Sequence, residues 1–203
     1  EAKRKGARVL SIVNVVGSTV ARESDDVFYT WAGPEISVAS TKAYTTQLLS
    51  LYLLALYLGD LRGTISEEYY REVVSELSEI PEKLEKVLTL RGDIEKLAKK
   101  LYDRDQVFFI GRGMDASVAY EGSLKLKEIS YINSFAIAAG ELKHGTIALM
   151  EPTTIVVALA TQSKLFDKMV SNIQEVKARN AHVISIAKEG NTAIEEHSNE
   201  TFY

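Results

Sequence analysis

The chain has 203 residues, enough for one large domain or two small ones. Its formal net charge is −4 with no basic cluster, so nucleic-acid binding has no electrostatic support. It contains no cysteine, which excludes disulfides and thiolate chemistry and allows a cytoplasmic location. Residues 9–15 and 27–31 read as buried strands. Ser40 is the expected N-cap of an apolar helix running to about Leu58. The run Leu48 to Leu58 within it is well short of the roughly 18 residues of a membrane span, so no membrane partner is expected. Three charged helices are expected at 67–79, 82–90 and 93–104, with Pro81 and Gly92 as breaks. Residues 107–110 read as a strand, and Gly111-Arg112-Gly113 turns into a helix. A short strand at 135–138, a short helix at 142–149 and an apolar strand at 154–160 follow. The chain then shows an amphipathic helix at 163–179 and a strand at 183–187. Strands alternating with helices predict parallel α/β layers, whose ligands sit at the carboxyl ends of the strands.

The chain also resembles itself at an offset of 174 residues. Gly6 to Ile12 aligns with Asn180 to Ile186, and Ser24 to Tyr29 with Ser198 to Tyr203, without a gap. Glu1 and Lys3 match Glu175 and Lys177 in the same register. Two copies of one architecture are expected. The first copy lacks a strand-helix region before it and the second lacks a helix after it. The chain therefore reads as the back half of one unit (1–64), a helical connector (65–104) and the front of a second unit (105–203), cut at both ends.

Glu121 to Gly145, EGSLKLKEISYINSFAIAAGELKHG, concentrates proton-transfer groups in an apolar, small-residue setting. Lys125 and Glu128 stand three apart on one helical face. A carboxylate near apolar neighbours suits general-base work, and a surface ion pair with Lys125 explains it as well. His144 is one of only three histidines and follows an apolar run; a hydrogen-bonded structural histidine is the alternative. His182 and His197 carry no functional signal. Gly111-Arg112-Gly113 can present amides to an anion, but Ala116 stands where a dinucleotide fingerprint needs glycine, and a plain tight turn fits too. Thr161-Gln162-Ser163 suits a phosphate or an ordinary N-cap. Ser37 to Thr46, SVASTKAYTT, offers hydroxyls and amides to a polyol or phosphate, or simply caps a helix. No His/Cys/carboxylate spacing suggests a metal site.

EISVASTKAYTTQ (35–47), Gly111–Gly113, EGSLKLKEISYI (121–132) and AAGELKHG (138–145) resemble the isomerase part of the glucosamine-6-phosphate synthase family, built from two sugar isomerase (SIS) domains. The similarity runs along most of the chain and is weakest from about Arg62 to Arg104. The resemblance implies flavodoxin-like α/β units in tandem. It implies an enzyme converting fructose 6-phosphate and glutamine to glucosamine 6-phosphate and glutamate, without a cofactor. Glu128 matches the glutamate that moves a proton between sugar carbons 1 and 2, and Lys125 the lysine beside it. His144 matches the histidine that assists ring opening and, in a homodimer, reaches the neighbouring active site. Val38, Ala39 and Ser40 fall in the segment that contacts the sugar. The family's phosphate loop, its Schiff-base lysine tail and its glutaminase domain are absent from these residues, so the 203 residues alone are not expected to turn over. Thr146 and Asn133 stand where the family commonly has proline and histidine. A non-catalytic sugar-phosphate sensor, or a related sugar-phosphate isomerase or deglycase, is the alternative.

Overall fold

β-branched and aromatic runs bounded by turn residues form the strands, and the offset repeat is visible in how they pair. The computed structural model describes residues 1–203. Its contacts divide the chain into two units, Glu1–Leu97 and Ala98–Tyr203. The first unit opens with a 3-10 turn, Lys3–Lys5, followed by β1 (Leu10–Val13), α1 (Thr19–Glu23) and β2 (Asp26–Tyr29). The two strands pair in parallel, Leu10 opposite Asp26. Four helices follow: α2 (Lys42–Leu61), α3 (Glu67–Ser78), α4 (Ile80–Thr89) and α5 (Arg91–Leu101). The unit boundary falls within α5.

Several local expectations need correction here. Ser40 does not cap α2. The N-cap position is Thr41, already in the helical region at φ −88° and ψ −56°, and no side chain caps it. Pro81 does not end a helix. It sits in the first turn of α4, where a missing N–H costs nothing, and the break lies at Glu79. Gly92 likewise lies in the first turn of α5. α2 buries only Ser50 and Leu56 although its residues are mostly apolar. No helix of the chain is long and apolar enough to cross a membrane.

The second unit contains β3 (Gln106–Gly111), α6 (Met114–Ser130), β4 (Asn133–Ala138), β5 (Ile155–Ala160), α7 (Phe166–Lys177), β6 (His182–Ala187) and β7 (Glu200–Phe202). The expected helix at 142–149 is instead two 3-10 turns, Ala139–His144 and Thr146–Leu149, parted by Gly145 at φ 139°. A side chain at that φ is strained, so the helix cannot run through. The expected helix at 163–179 starts as a 3-10 turn, Ser163–Leu165, before α7. All five strands are parallel, in the order β4-β3-β5-β6-β7. In order of appearance this is 2-1-3-4-5, the flavodoxin-like order. Right-handed crossovers then place α6 and α7 on opposite faces, giving three layers. Phe108, Ile110, Val156, Ala158 and Val183 are buried in the sheet, under Met169, Ile173 and Val176 of α7 and Ile194. Strands covered on both faces read as continuous apolar runs, as 154–160 did.

The repeat extends to individual atoms. β6 and β7 pair Ile184 opposite Glu200, the register of Leu10 opposite Asp26 displaced by the same 174 residues. Ser11 and Ser24 hydroxyls lie 2.6 Å apart, as do those of Ser185 and Ser198. The Val9 amide donates to Asp25 at 2.8 Å, and the Val183 amide to Asn199 at 2.9 Å. Lys3 pairs with Asp25, and Lys177 donates to Asn199. Arg8 grips Asp26 through two bonds where His182 meets Glu200 at 2.6 Å. His182 therefore opens β6 with its ring nitrogen against the Glu200 carboxylate. His197 closes the 3-10 turn Thr192–His197 and bonds Gln174.

Candidate active site

The carboxyl edge of the second sheet is built by three loops, those after β3, β4 and β5. The loop after β3 is the glycine pair around Arg112. A Cβ on Gly111 would lie 2.5 Å from the Asp115 carbonyl carbon, so only glycine lets α6 start this close to its strand. Asp115 is 5 % exposed and reaches across to the loop after β5. Its carboxylate accepts the Thr161 amide at 2.8 Å, the Thr161 hydroxyl at 2.6 Å and Gln162 Nε2 at 3.3 Å. The strand order reverses between β3 and β5, where sheets of this kind bind ligands. In this unit a carboxylate of the chain itself takes the loop's donors. Thr161 and Gln162 thus serve a buried acceptor, a use that the motif alone did not indicate.

At the far end of α6, Glu121, Lys125 and Glu128 share one face. At 100° per residue that face lies roughly opposite the sheet-facing stripe of Asp115, Ala119 and Ser123. Lys125 Nζ stands 2.8 Å from Glu128 Oε2 and 3.2 Å from Glu121 Oε1. The three side chains are 19–30 % exposed. Glu128 Oε2 is buried, and the Lys125 ammonium 2.8 Å away is the polar group set against it. Glu128 raises the Lys125 pKa above the ordinary lysine value; partial burial opposes this, and Glu121 adds to the rise. The ammonium therefore stays charged at neutral pH beside the carboxylate. Glu121 was missed from the sequence. It lies four residues before Lys125, at the helical spacing that had already paired Lys125 with Glu128.

The structure does not bring His144 to this cluster. His144 ends the 3-10 turn after β4, on the carboxyl edge of the sheet, and is exposed. α6 runs antiparallel to its flanking strands, so Glu128, 14 residues beyond Met114, is carried about 21 Å back along the helix axis toward the opposite edge. Val38, Ala39 and Ser40 lie in the first unit, in the loop that leads into α2. Lys42 Nζ straps that loop by donating to the Pro34 carbonyl at 2.6 Å. Val38 is 87 % exposed while Ala39 is 3 % exposed, so Val38 is presented outward and Ala39 anchors the turn. Their amides and that of Ser40 donate to no other backbone group, and nearby Glu35 Oε2 is buried without a partner.

A tandem of parallel α/β pieces, one carrying a Lys–Glu cluster and the other an open amide loop, defines a class that the comparisons with known proteins identify. The SIS domain family profile matches residues 1–57 and 100–203. The chain belongs to the SIS domain family. Among curated relatives it is 59 % identical over 195 residues to the glutamine–fructose-6-phosphate aminotransferase (isomerizing) of Caldanaerobacter subterraneus, covering 96 % of this chain and 32 % of the relative. It is 57 % identical over all 203 residues to the Clostridium tetani protein of the same name, covering 33 % of it. The chain thus spans about a third of the length of these relatives. Among solved structures it matches the C-terminal domain of glucosamine-fructose-6-phosphate aminotransferase from Francisella tularensis. The TM-score is 0.90 at 38 % identity, over 95 % of this chain and 55 % of that one.

Proposed function

We propose that this chain is the isomerase region of an enzyme that converts fructose 6-phosphate and glutamine to glucosamine 6-phosphate and glutamate. The observation that carries the proposal is the Glu121–Lys125–Glu128 cluster, with a buried carboxylate oxygen of Glu128 held beside the Lys125 ammonium, in a chain 57–59 % identical to aminotransferases of that name. Once ammonia has formed the imine at carbon 2, Glu128 takes the proton from carbon 1 and returns it to carbon 2. The carbon 1 hydroxyl proton passes to the imine nitrogen as C=N becomes C–NH2 and C=O forms at carbon 1, so the ketose skeleton becomes the aldose. Lys125 supplies the compensating positive charge beside the carboxylate. Val38, Ala39 and Ser40 offer backbone amides and a hydroxyl to the sugar. His144 assists ring opening. Its place at the sheet edge away from Glu128 supports a homodimer in which it serves the neighbouring active site. In this reading the first SIS piece covers 1–64, a helical connector 65–104 and the second piece 105–203. The lack of cysteine suits a cytoplasmic sugar-phosphate enzyme.

The test replaces the corresponding third of the Caldanaerobacter relative with this chain and measures glucosamine 6-phosphate formation. The hybrid should be active, and Glu128→Gln should lower turnover at least about 100-fold, the usual scale of a general base, while sugar phosphate still binds. Unchanged turnover in Glu128→Gln would remove the proposed role. It would favour a sugar-phosphate-binding module that needs no base.

A further inference from the structure

We propose that Arg112 is a positioning residue for His144, holding the 3-10 turn Ala139–His144 through contacts at both its ends. The proposal rests on the reading of His144 as an acid–base group. The Arg112 guanidinium lies against Gly140, the second residue of that turn. A Cβ on Gly140 would stand 3.3 Å from Nη2, 3.4 Å from Nη1 and 3.6 Å from Cζ of Arg112. Both terminal nitrogens are nearer than Cζ, so the Nη1/Nη2 end of the guanidinium lies against the glycine, where any larger residue would press on it. The other end is held through a relay. Arg112 Nη1 donates to Asn172 Oδ1 at 2.6 Å, and Asn172 Nδ2 donates to Glu175 Oε2 at 3.3 Å. Glu175 Oε1 then pairs with Lys143 Nζ at 2.8 Å, one residue before His144.

The anchor of this relay is firm and its cargo is loose. Arg112 is flanked by Gly111, which admits no Cβ, and by Gly113 at φ 57°, and Asp115 ties the same turn to β5. Asn172 is 7 % exposed. His144 is exposed and its side chain makes no hydrogen bond or ion pair within the chain, and the residue after it, Gly145, gives no support from behind. Ala139 and Leu142 seat the turn in the core, and Gly140 and Lys143, the polar contacts on either side of Leu142, both lead back to Arg112. The forked guanidinium serves both contacts at once, its two terminal nitrogens against Gly140 while Nη1 donates to Asn172, which the single nitrogen of an ammonium cannot do.

The test uses the active hybrid described above. Arg112→Ala should lower kcat toward about 100-fold, the scale of a misplaced catalytic group, with KM near its unsubstituted value. Gly140→Ala should lower kcat when Arg112 is present, because the new methyl presses on the guanidinium, and should have almost no further effect in Arg112→Ala. This non-additivity is what a shared contact produces and a general loss of stability does not. Arg112→Lys should not rescue. An unchanged kcat in Arg112→Ala, or effects of the two changes that simply multiply, would overturn the proposal. If His144→Ala itself leaves kcat unchanged, the acid–base reading of His144 has failed. The same claim is read without turnover by NMR on this chain. Arg112→Ala should shift or broaden the amides of Gly140 to Gly145 while those of His182 and His197 stay in place, and unmoved Gly140–Gly145 amides would overturn it.

Discussion

Replacing Asp115 with alanine tests the clamp at the carboxyl edge of the second sheet. The carboxylate is 5 % exposed and holds the Thr161 amide at 2.8 Å and the Thr161 hydroxyl at 2.6 Å. Hydrogen bonds to a charged group contribute roughly 1.5–3 kcal/mol each when one partner is removed, at the lower end where water can replace it. Thr161 is half-buried, so the amide and the hydroxyl each count near the lower end, about 1.5 kcal/mol, and the 3.3 Å contact to Gln162 adds little. Asp115→Ala should therefore destabilise the second unit by about 3 kcal/mol. Asp115→Asn, which keeps one acceptor but turns a donor toward an N–H or O–H, should lose about half of that. The only tryptophan, Trp31, lies in the first unit, so its fluorescence reports on the wrong part. Native-state hydrogen exchange of the Phe108 and Val156 amides, in the buried strands β3 and β5, reads the right one. Thr161→Val closes a double-mutant cycle and should couple to Asp115. A loss under about 0.5 kcal/mol in Asp115→Ala, the level of an ordinary surface change, would refute the reasoning.

The duplicated serine pair gives a second test. Ser185 is fully buried while Ser11 is only half-buried, so Ser185→Ala should cost about 1–2 kcal/mol and Ser11→Ala about 0.5 or less, measured by hydrogen exchange in each unit. The acid limb of stability is a third. Arg8 holds the Asp26 carboxyl below its usual value, and Lys3 does the same for Asp25. Groups depressed in the folded state stabilise above their unfolded pKa of about 3.9 and lose that contribution as pH falls through the lower folded value. Asp26→Asn should flatten the stability–pH curve of the first unit below about pH 4, seen in acid titration of its strand amides. Lys125 behaves in the opposite sense. Its folded pKa is raised, so its contribution is present below about pH 10.4 and fades as pH rises through the folded value. Glu128→Gln should lower the Lys125 pKa more than Glu121→Gln does, measured on the Lys125 Cε signal.

What the sequence by itself determined follows from short-range rules. The buried runs at 107–110, 154–160 and 183–187 became strands because their apolar continuity has no other cheap burial. Lys125 and Glu128 met because three residues on a helix always share a face. The repeat at an offset of 174 was legible because its copies keep the same residues at the same intervals, and the paired serines and strand register follow from that. What only the tertiary structure decided depends on strand order. Asp115 reaches Thr161, 46 residues on, because β3 and β5 are neighbours in the sheet. Arg112 reaches Asn172, 60 residues on, and Gly140, because α7 and the turn after β4 flank the same glycine loop. Ser40 lost its expected capping role because Thr41 had already turned helical, and His144 was parted from Glu128 because α6 runs the length of the sheet between them. No local pattern encodes such contacts. They arise when a parallel sheet in the order 2-1-3-4-5 gathers loops that are distant in the chain along one edge.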